Sequence, residues 1–330
     1  MRQLQENENV FTSSFKAFSK KDTLRELAIE WLELRDNFTS GLIHKVIFDF
    51  EKELILEKAK ARAQEIVFTS RAKTLVALTL SYFCGINSSA KIVKGKKANF
   101  DTLVLYLSAS KNAGIDICKS ACAQCRALCL VASGRAEMEK NRDASKRKIA
   151  IARVIKTWLV VFNPLVANQL IQSEIEKESK RSARIGNQFA IRLNGTSDLD
   201  FSEIIRSNPE KTFYDYTKRS LESVESFPNY SLTYSYANFS KARIDQYKLA
   251  HKRGINIAVA ISKADFSKAI DSHPKAYDAD SSDLRFKDKT KGGYALLSVK
   301  GSKGKGAETE NGFVLTARGF EQLVSVIEKE

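Results

Sequence analysis

Apolar positions from Leu24 to Leu34 recur every three to four residues, directly behind Thr23-Leu-Arg-Glu26. A threonine followed three positions later by glutamate is a capping box, so a helix is expected from Leu24. Ile43, Val46, Ile47, Phe50 and Leu54 keep the helical period and predict a second helix from about Gly41 to Ile66. Glycine and proline are nearly absent here. Residues 1–72 are therefore expected as a helical extension, a hairpin packed on or appended to a main domain at 73–330.

The pattern changes near Lys73. Thr74–Phe83 and Thr102–Ser108 are short runs rich in apolar and aromatic residues and predict strands, with the basic turn Lys91–Lys97 between them. Gly134-Arg135 opens a long helical region. Asn163-Pro164 divides it, with Asn163 as cap and Pro164 at the first helical position. Strands are expected at Gln188–Leu193, Lys211–Tyr214, Ser231–Tyr234 and Ile255–Ile261. Between them come a short helix to Arg206, another after Lys218, and a helix over Lys241–Arg253. A strand at Tyr294–Val299, the glycine-lysine stretch Gly301–Gly306, a strand at Phe313–Leu315 and a helix ending at Glu330 complete the chain. Strands alternating with helices imply parallel pairing and an α/β fold. Polar residues collect just after the strands, where barrels and open sheets build their sites. No fixed-period repeat is present.

Charge adds a partner to this picture. The 54 Lys+Arg exceed the 39 Asp+Glu, for a formal net charge of +15, which favours nucleic acid or another polyanion as partner. The densest basic stretch is Lys140, Arg142, Lys146, Arg147, Lys148, Arg153 and Lys156. With Lys94, Lys96, Lys97 and the later Lys300, Lys303 and Lys305 it reads as a phosphate-tracking surface; the plain alternative is a solvated helix face. The first twenty residues lack the apolar core of a secretory signal. No apolar run approaches the roughly twenty residues of a membrane span. A cytoplasmic protein without a membrane partner is expected.

Four of the five cysteines fall in one segment, Cys118-Lys-Ser-Ala-Cys122-Ala-Gln-Cys125-Arg-Ala-Leu-Cys129. Clustered thiols in a reducing compartment read as metal ligands rather than disulfides. Soft thiolates suit an iron–sulfur cluster or zinc. Four ligating thiolates make a closed site; three leave a position open. Cys84 stands apart in an apolar run and is expected as a small core residue.

Cys118, Cys122 and Cys125 form a C-x3-C-x2-C array that resembles the cluster loop of the radical S-adenosylmethionine superfamily. That resemblance implies a radical-SAM-like partial (β/α) barrel, a 4Fe-4S cluster on three thiolates and S-adenosylmethionine on the fourth iron. Gln124 stands where that loop usually has an aromatic residue, and Cys129 is near enough to compete for the fourth iron. A wider set of segments looks like the phage "gene product 88" family: the cysteine loop, Gly134-Arg135, Arg192-Leu-Asn-Gly-Thr-Ser-Asp198, Phe213-Tyr-Asp-Tyr-Thr-Lys218, Leu232-Thr-Tyr-Ser235, Asn256-Ile-Ala-Val259 and Asp280…Asp288. This likeness runs from about Thr74 to Val314 and implies a phage or mobile-element protein, in the host cytoplasm if phage-encoded.

Three further groups carry chemistry. Arg192, Asn194, Thr196, Ser197 and Asp198 end a strand around Gly195, which suits ligand or cofactor binding; equally, Asp198 caps the next helix. Tyr214, Asp215, Tyr216 and Lys218 offer a nucleophilic tyrosine beside a lysine, as in DNA nicking, or a phosphate-binding and stacking group. His44, His251 and His273 are too scattered for a histidine-pair metal. Asp280, Asp283 and Asp288 are candidate magnesium ligands or a solvated loop. The expectation is an iron–sulfur (or zinc) protein acting on nucleic acid in replication or modification. A radical S-adenosylmethionine enzyme and a metal-dependent phosphoryl-transfer protein remain as alternatives, so whether the chain is an enzyme stays open.

Overall fold

The computed structural model describes residues 23–87, 99–129, 141–299, 308–309 and 312–329. The N-terminal helices form as the period predicts. In α1 (Leu24–Thr39) both arms of the Thr23/Glu26 capping box are made; α2 (Lys45–Glu65) starts at His44, whose ring accepts from Val46 N. The hairpin shares one continuous core with the sheet: Leu27, Trp31 and Ile55 belong to the same buried cluster as Leu103 and Ile191.

The predicted strand at Thr74–Phe83 is instead a helix, α3 (Arg71–Ala77), followed by turns. Ser70 Oγ caps it by accepting from Lys73 N. An apolar run this short carries no period of its own, and burial of Thr74 and Leu75 decides its form.

Next come β1 (Gly85–Ile86), β2 (Phe100–Val104), α4 (Ala123–Ala127), α5 (Lys148–Phe162) and α6 (Pro164–Arg184). Asn163 caps α6 through Val166 N, with Pro164 at its first position, as expected. Then follow β3 (Gln188–Arg192), α7 (Ser202–Arg206), β4 (Thr212–Thr217), β5 (Tyr230–Ser235), α8 (Lys241–Lys252) and β6 (Ile257–Ile261). The chain continues through α9 (Phe266–Asp271), β7 (Ala276–Asp278), β8 (Tyr294–Ser298), β9 (Glu308–Thr309), β10 (Val314–Leu315) and α10 (Ala317–Glu328). No helix follows Lys218: residues 218–229 are turns and irregular chain.

The strands make one open, mostly parallel sheet. Among the described residues only β1 is antiparallel, on β2; then β2, β3, β4, β5, β6, β8 and β7 lie side by side. Its edges do not meet among the described residues, so no closed barrel forms. The sheet forks at β6. Along one edge β6 pairs with β5 at Ile257 and Ala258, then with β10 at Ala260 and Ile261. Strand period 2 separates the two faces. Ile191, Phe213, Ile257, Val259 and Ile261 enter the two helix-covered cores, whereas Ala190, Tyr214, Ala258 and Ala295 face the other way. That inner face is covered by the 279–288 segment, with Leu284 and Phe286 packed on Phe100, Ala190 and Tyr214. No single described helix is long and apolar enough to cross a membrane.

Candidate metal centre

The cysteine loop leaves the carboxyl end of β2, and its backbone is fixed by one arginine. Arg126 forms a two-pronged pair with Asp116, with both nitrogen–oxygen distances 3.0 Å. It also donates to the carbonyls of Cys118 (2.9 Å) and Ala121 (3.3 Å) and to Ser110 Oγ. Asp116 in turn accepts from Cys118 N at 3.0 Å. A second arginine ties the loop to the sheet: Arg243 on α8 donates to the Ser120 carbonyl (2.5 Å) and to the Lys218 carbonyl (2.6 Å). Gln124 accepts from Phe313 N at 2.8 Å, so the polar residue ahead of Cys125 fastens the loop to the start of β10.

These ties place three thiols against the ends of three neighbouring strands. Cys118 Sγ lies 3.9 Å from the Thr196 carbonyl after β3, and Cys122 Sγ lies 3.7 Å from the Ala237 carbonyl after β5. Cys125 lies within electrostatic reach of Lys218, which follows β4. Cys122 also caps α4, its sulfur accepting from Cys125 N at 3.3 Å. Burial pushes the Cys118 thiol up to about 11; the Ser110 backbone offsets this, while Asp198, Cys129 and Cys125 add to it. Burial likewise raises Cys125; Lys218 opposes the rise, and Cys122 and Cys129 reinforce it. The four sulfurs thus share one electrostatic neighbourhood. Among the described residues no three His, Cys, Asp or Glu side chains already stand at metal-binding separation. Cys118 and Cys122 are directed at separate carbonyls. Cys84 is buried in the main core, away from the loop.

The loop after β3 is organised from within. Asn194 Oδ1 accepts from Ser197 Oγ (2.8 Å) and Leu199 N (2.9 Å), and both side chains are buried. Thr196 Oγ1 donates to the Leu107 carbonyl at 2.7 Å. Gly195 is required by a close approach, since a Cβ there would meet the Leu105 carbonyl at 2.7 Å. Asp198 does not cap α7. It accepts from Thr217 Oγ1 (2.7 Å) and Lys218 N (2.8 Å), locking the ends of β3 and β4 together. The carboxylate beside α7 is Asp200, which accepts from Ser202.

Of the remaining candidates, Arg192, Tyr214 and Tyr216 lie on the inner face, and Asp215 accepts from Asn194 N at 2.8 Å. Arg192 donates to Asp283 at 3.1 Å and stands over the Tyr216 ring at 4.9 Å. Tyr214 is fully buried and donates to Asp283 at 3.2 Å. Burial raises the Tyr214 and Tyr216 phenols far above the ordinary tyrosine range, a poor setting for a nucleophile that must meet a DNA phosphate. The aspartates are engaged apart from one another: Asp280 with Ser298 N, Asp283 with Arg192, and Asp288 with Tyr277. In the basic stretch, Lys140 lies outside the described residues, as do Gly134-Arg135, Lys91–Lys97 and residues 300–307. Arg142 and Lys148 are exposed. Lys146 pairs with Asp143 at 2.6 Å and Arg147 pairs with Asp36. Lys156 is turned inward over the Tyr82 ring, and burial pulls its ammonium down to about 8.

A model of one protein family, Gene product 88, matches residues 82–317. The chain belongs to the Gene product 88 family. The matched span begins just before β1 and ends at the first turn of α10, so it takes in the cysteine loop, every described strand and the fork. The α1–α2 hairpin precedes the Gene product 88 region. No curated protein and no solved structure matches the chain.

Proposed function

We propose that this chain is an iron–sulfur protein whose cluster is held by Cys118, Cys122 and Cys125, and that its partner is nucleic acid. One observation carries the first part: the three thiols stand at the carboxyl ends of β3, β5 and β4, on a loop leaving β2. Ligands of parallel sheets bind at the carboxyl ends of the strands. The donor set is soft and suits iron–sulfur or zinc. Mutual repulsion among buried thiolates is costly without a cation, and metal binding, which requires deprotonated sulfur, removes that cost.

Cys129 decides the type of centre. As a fourth ligand it closes a 4Fe-4S cluster or a structural zinc. Left free, it leaves one iron open for S-adenosylmethionine, and the sheet is then read as a radical-SAM-like partial barrel with Arg192, Asn194 and Ser197 at the strand end beside it. The charge of +15 supports the nucleic-acid part, in replication or modification.

Anaerobic purification followed by iron, sulfide and zinc analysis tests the centre. Cys118→Ser, Cys122→Ser and Cys125→Ser each should abolish it. Cys129→Ala keeps the cluster in the three-thiolate form and loses it in the four-thiolate form. Iron content unchanged in all four variants contradicts the assignment.

A further inference from the structure

The opposite end of the sheet carries a feature that the cysteine loop does not use. Where β2, β3 and β4 begin, a groove of about 560 Å³ opens between the last turn of α6 and the 279–288 segment. This volume is in the range of ligand sites, roughly 300–1,000 Å³. Its aromatic lining is Phe286 and Phe189, both half-buried, with the buried Phe100, and its polar lining includes Asn187, Gln188, Lys211 and Lys287. Phe286 is braced, with its ring centroid 5.3 Å from that of Phe100 and 5.4 Å from that of Tyr214. A ring held in this way needs no ordering when a second flat group stacks on it. Lys287 Nζ is placed 4.0 Å from the Phe100 centroid, an exposed cation at the groove's rim. Lys211 lies 3.5 Å from Glu210, and Arg184, next to the lining Ala183, ends α6 as a further exposed cation.

A recessed ring flanked by cations and side-chain amides matches an unpaired base with its phosphates. A duplex keeps its bases stacked and cannot offer one. We propose that this groove binds single-stranded nucleic acid, with a base against Phe286 and backbone phosphates on Lys287 and Lys211. The proposal rests on the nucleic-acid half of the reading above and is independent of the metal.

Fluorescence anisotropy of the full chain with labelled oligo(dT), oligo(rU) and a duplex of equal length tests it. Wild type is expected to bind one or both single strands at least tenfold more tightly than the duplex. Lys287→Glu should weaken that binding at least tenfold with an unchanged melting temperature. Phe286→Leu keeps an apolar side chain but removes the flat ring, and should also weaken it. Equal affinity for duplex overturns the proposal. So does full affinity in both Lys287→Glu and Lys287→Glu/Lys211→Gln, or a larger loss from Arg142→Glu/Lys148→Glu than from Lys287→Glu. Absence of all binding by wild type removes the nucleic-acid reading as well, whereas intact binding in the groove variants removes this site alone.

Discussion

Arg243 and Ser120 meet across 123 residues of sequence: the guanidinium on α8 donates to the Ser120 carbonyl inside the cysteine loop at 2.5 Å. The same side chain holds the Lys218 carbonyl at 2.6 Å and the Tyr234 hydroxyl at 3.1 Å. This clamp helps to hold the loop over β4 and β5. Hydrogen bonds from a charged group contribute about 1.5–3 kcal/mol each. Arg243→Ala is expected to cost about 2 kcal/mol in chemical denaturation and to lower the metal content of purified protein. Arg243→Lys, which cannot reach both carbonyls as a fork does, should recover only part of each.

Glu174 is a buried carboxylate with several claims on it. It accepts from Phe83 N at 2.9 Å, from Cys84 N, and from Arg71 at 3.2 Å. Glu174→Ala leaves buried N–H groups and a guanidinium without their acceptor, at about 3–5 kcal/mol. Urea unfolding should show this loss, and a change under 1 kcal/mol would mean that the carboxylate is dispensable there.

Gly195 has a Cβ-sized space blocked by Val104 Cγ1 at 2.6 Å and the Leu105 carbonyl at 2.7 Å. Backbone cannot yield as a flexible side chain can. Gly195→Ala is expected to cost about 1–3 kcal/mol, a penalty typical of overpacking, and to separate the β3 loop from Cys118. Denaturation midpoints together with metal content will show both effects.

Asp215 provides a pH dependence. Burial raises its carboxyl from 3.8 to about 7, against the opposing pull of Arg192 and the Asn194 N–H. Between about pH 4 and 7 the unfolded chain has released this proton while the folded chain keeps it. The folded state then binds more protons, so stability contributed here is full below pH 4 and falls as pH rises through 7. Asp215→Asn should flatten that part of the stability profile, measured by denaturant midpoints from pH 4 to 8. A profile identical to wild type would show that Asp215 does not titrate in this window.

Much of this was legible in the sequence, for local reasons. Thr23 with Glu26, and Asn163 with Pro164, announce helix starts within four residues, and both are found. The short apolar and aromatic runs behind β3, β4 and β6 are local signals too. Thr74–Phe83 was misread because an apolar run of that length is compatible with either strand or helix, and only packing chooses. The thiols were visible as spacing. The residues that orient them were harder to see. Arg126 adjoins Cys125 and could have been noticed as a charge inside a thiol loop. Arg243 lies on a largely polar helix more than a hundred residues away, and nothing near it in sequence marks its contact with Ser120. In the basic stretch at 140–156 the sequence carries charge without direction, and Arg147 and Lys156 are directed to Asp36 and the core.

The most direct test of the central claim is metal and sulfide stoichiometry of the full chain purified under anaerobic conditions. The account predicts a coloured protein with iron and acid-labile sulfide in the ratio of one cluster per chain. A colourless protein with neither iron nor sulfide at stoichiometric level, before and after anaerobic reconstitution, would contradict it.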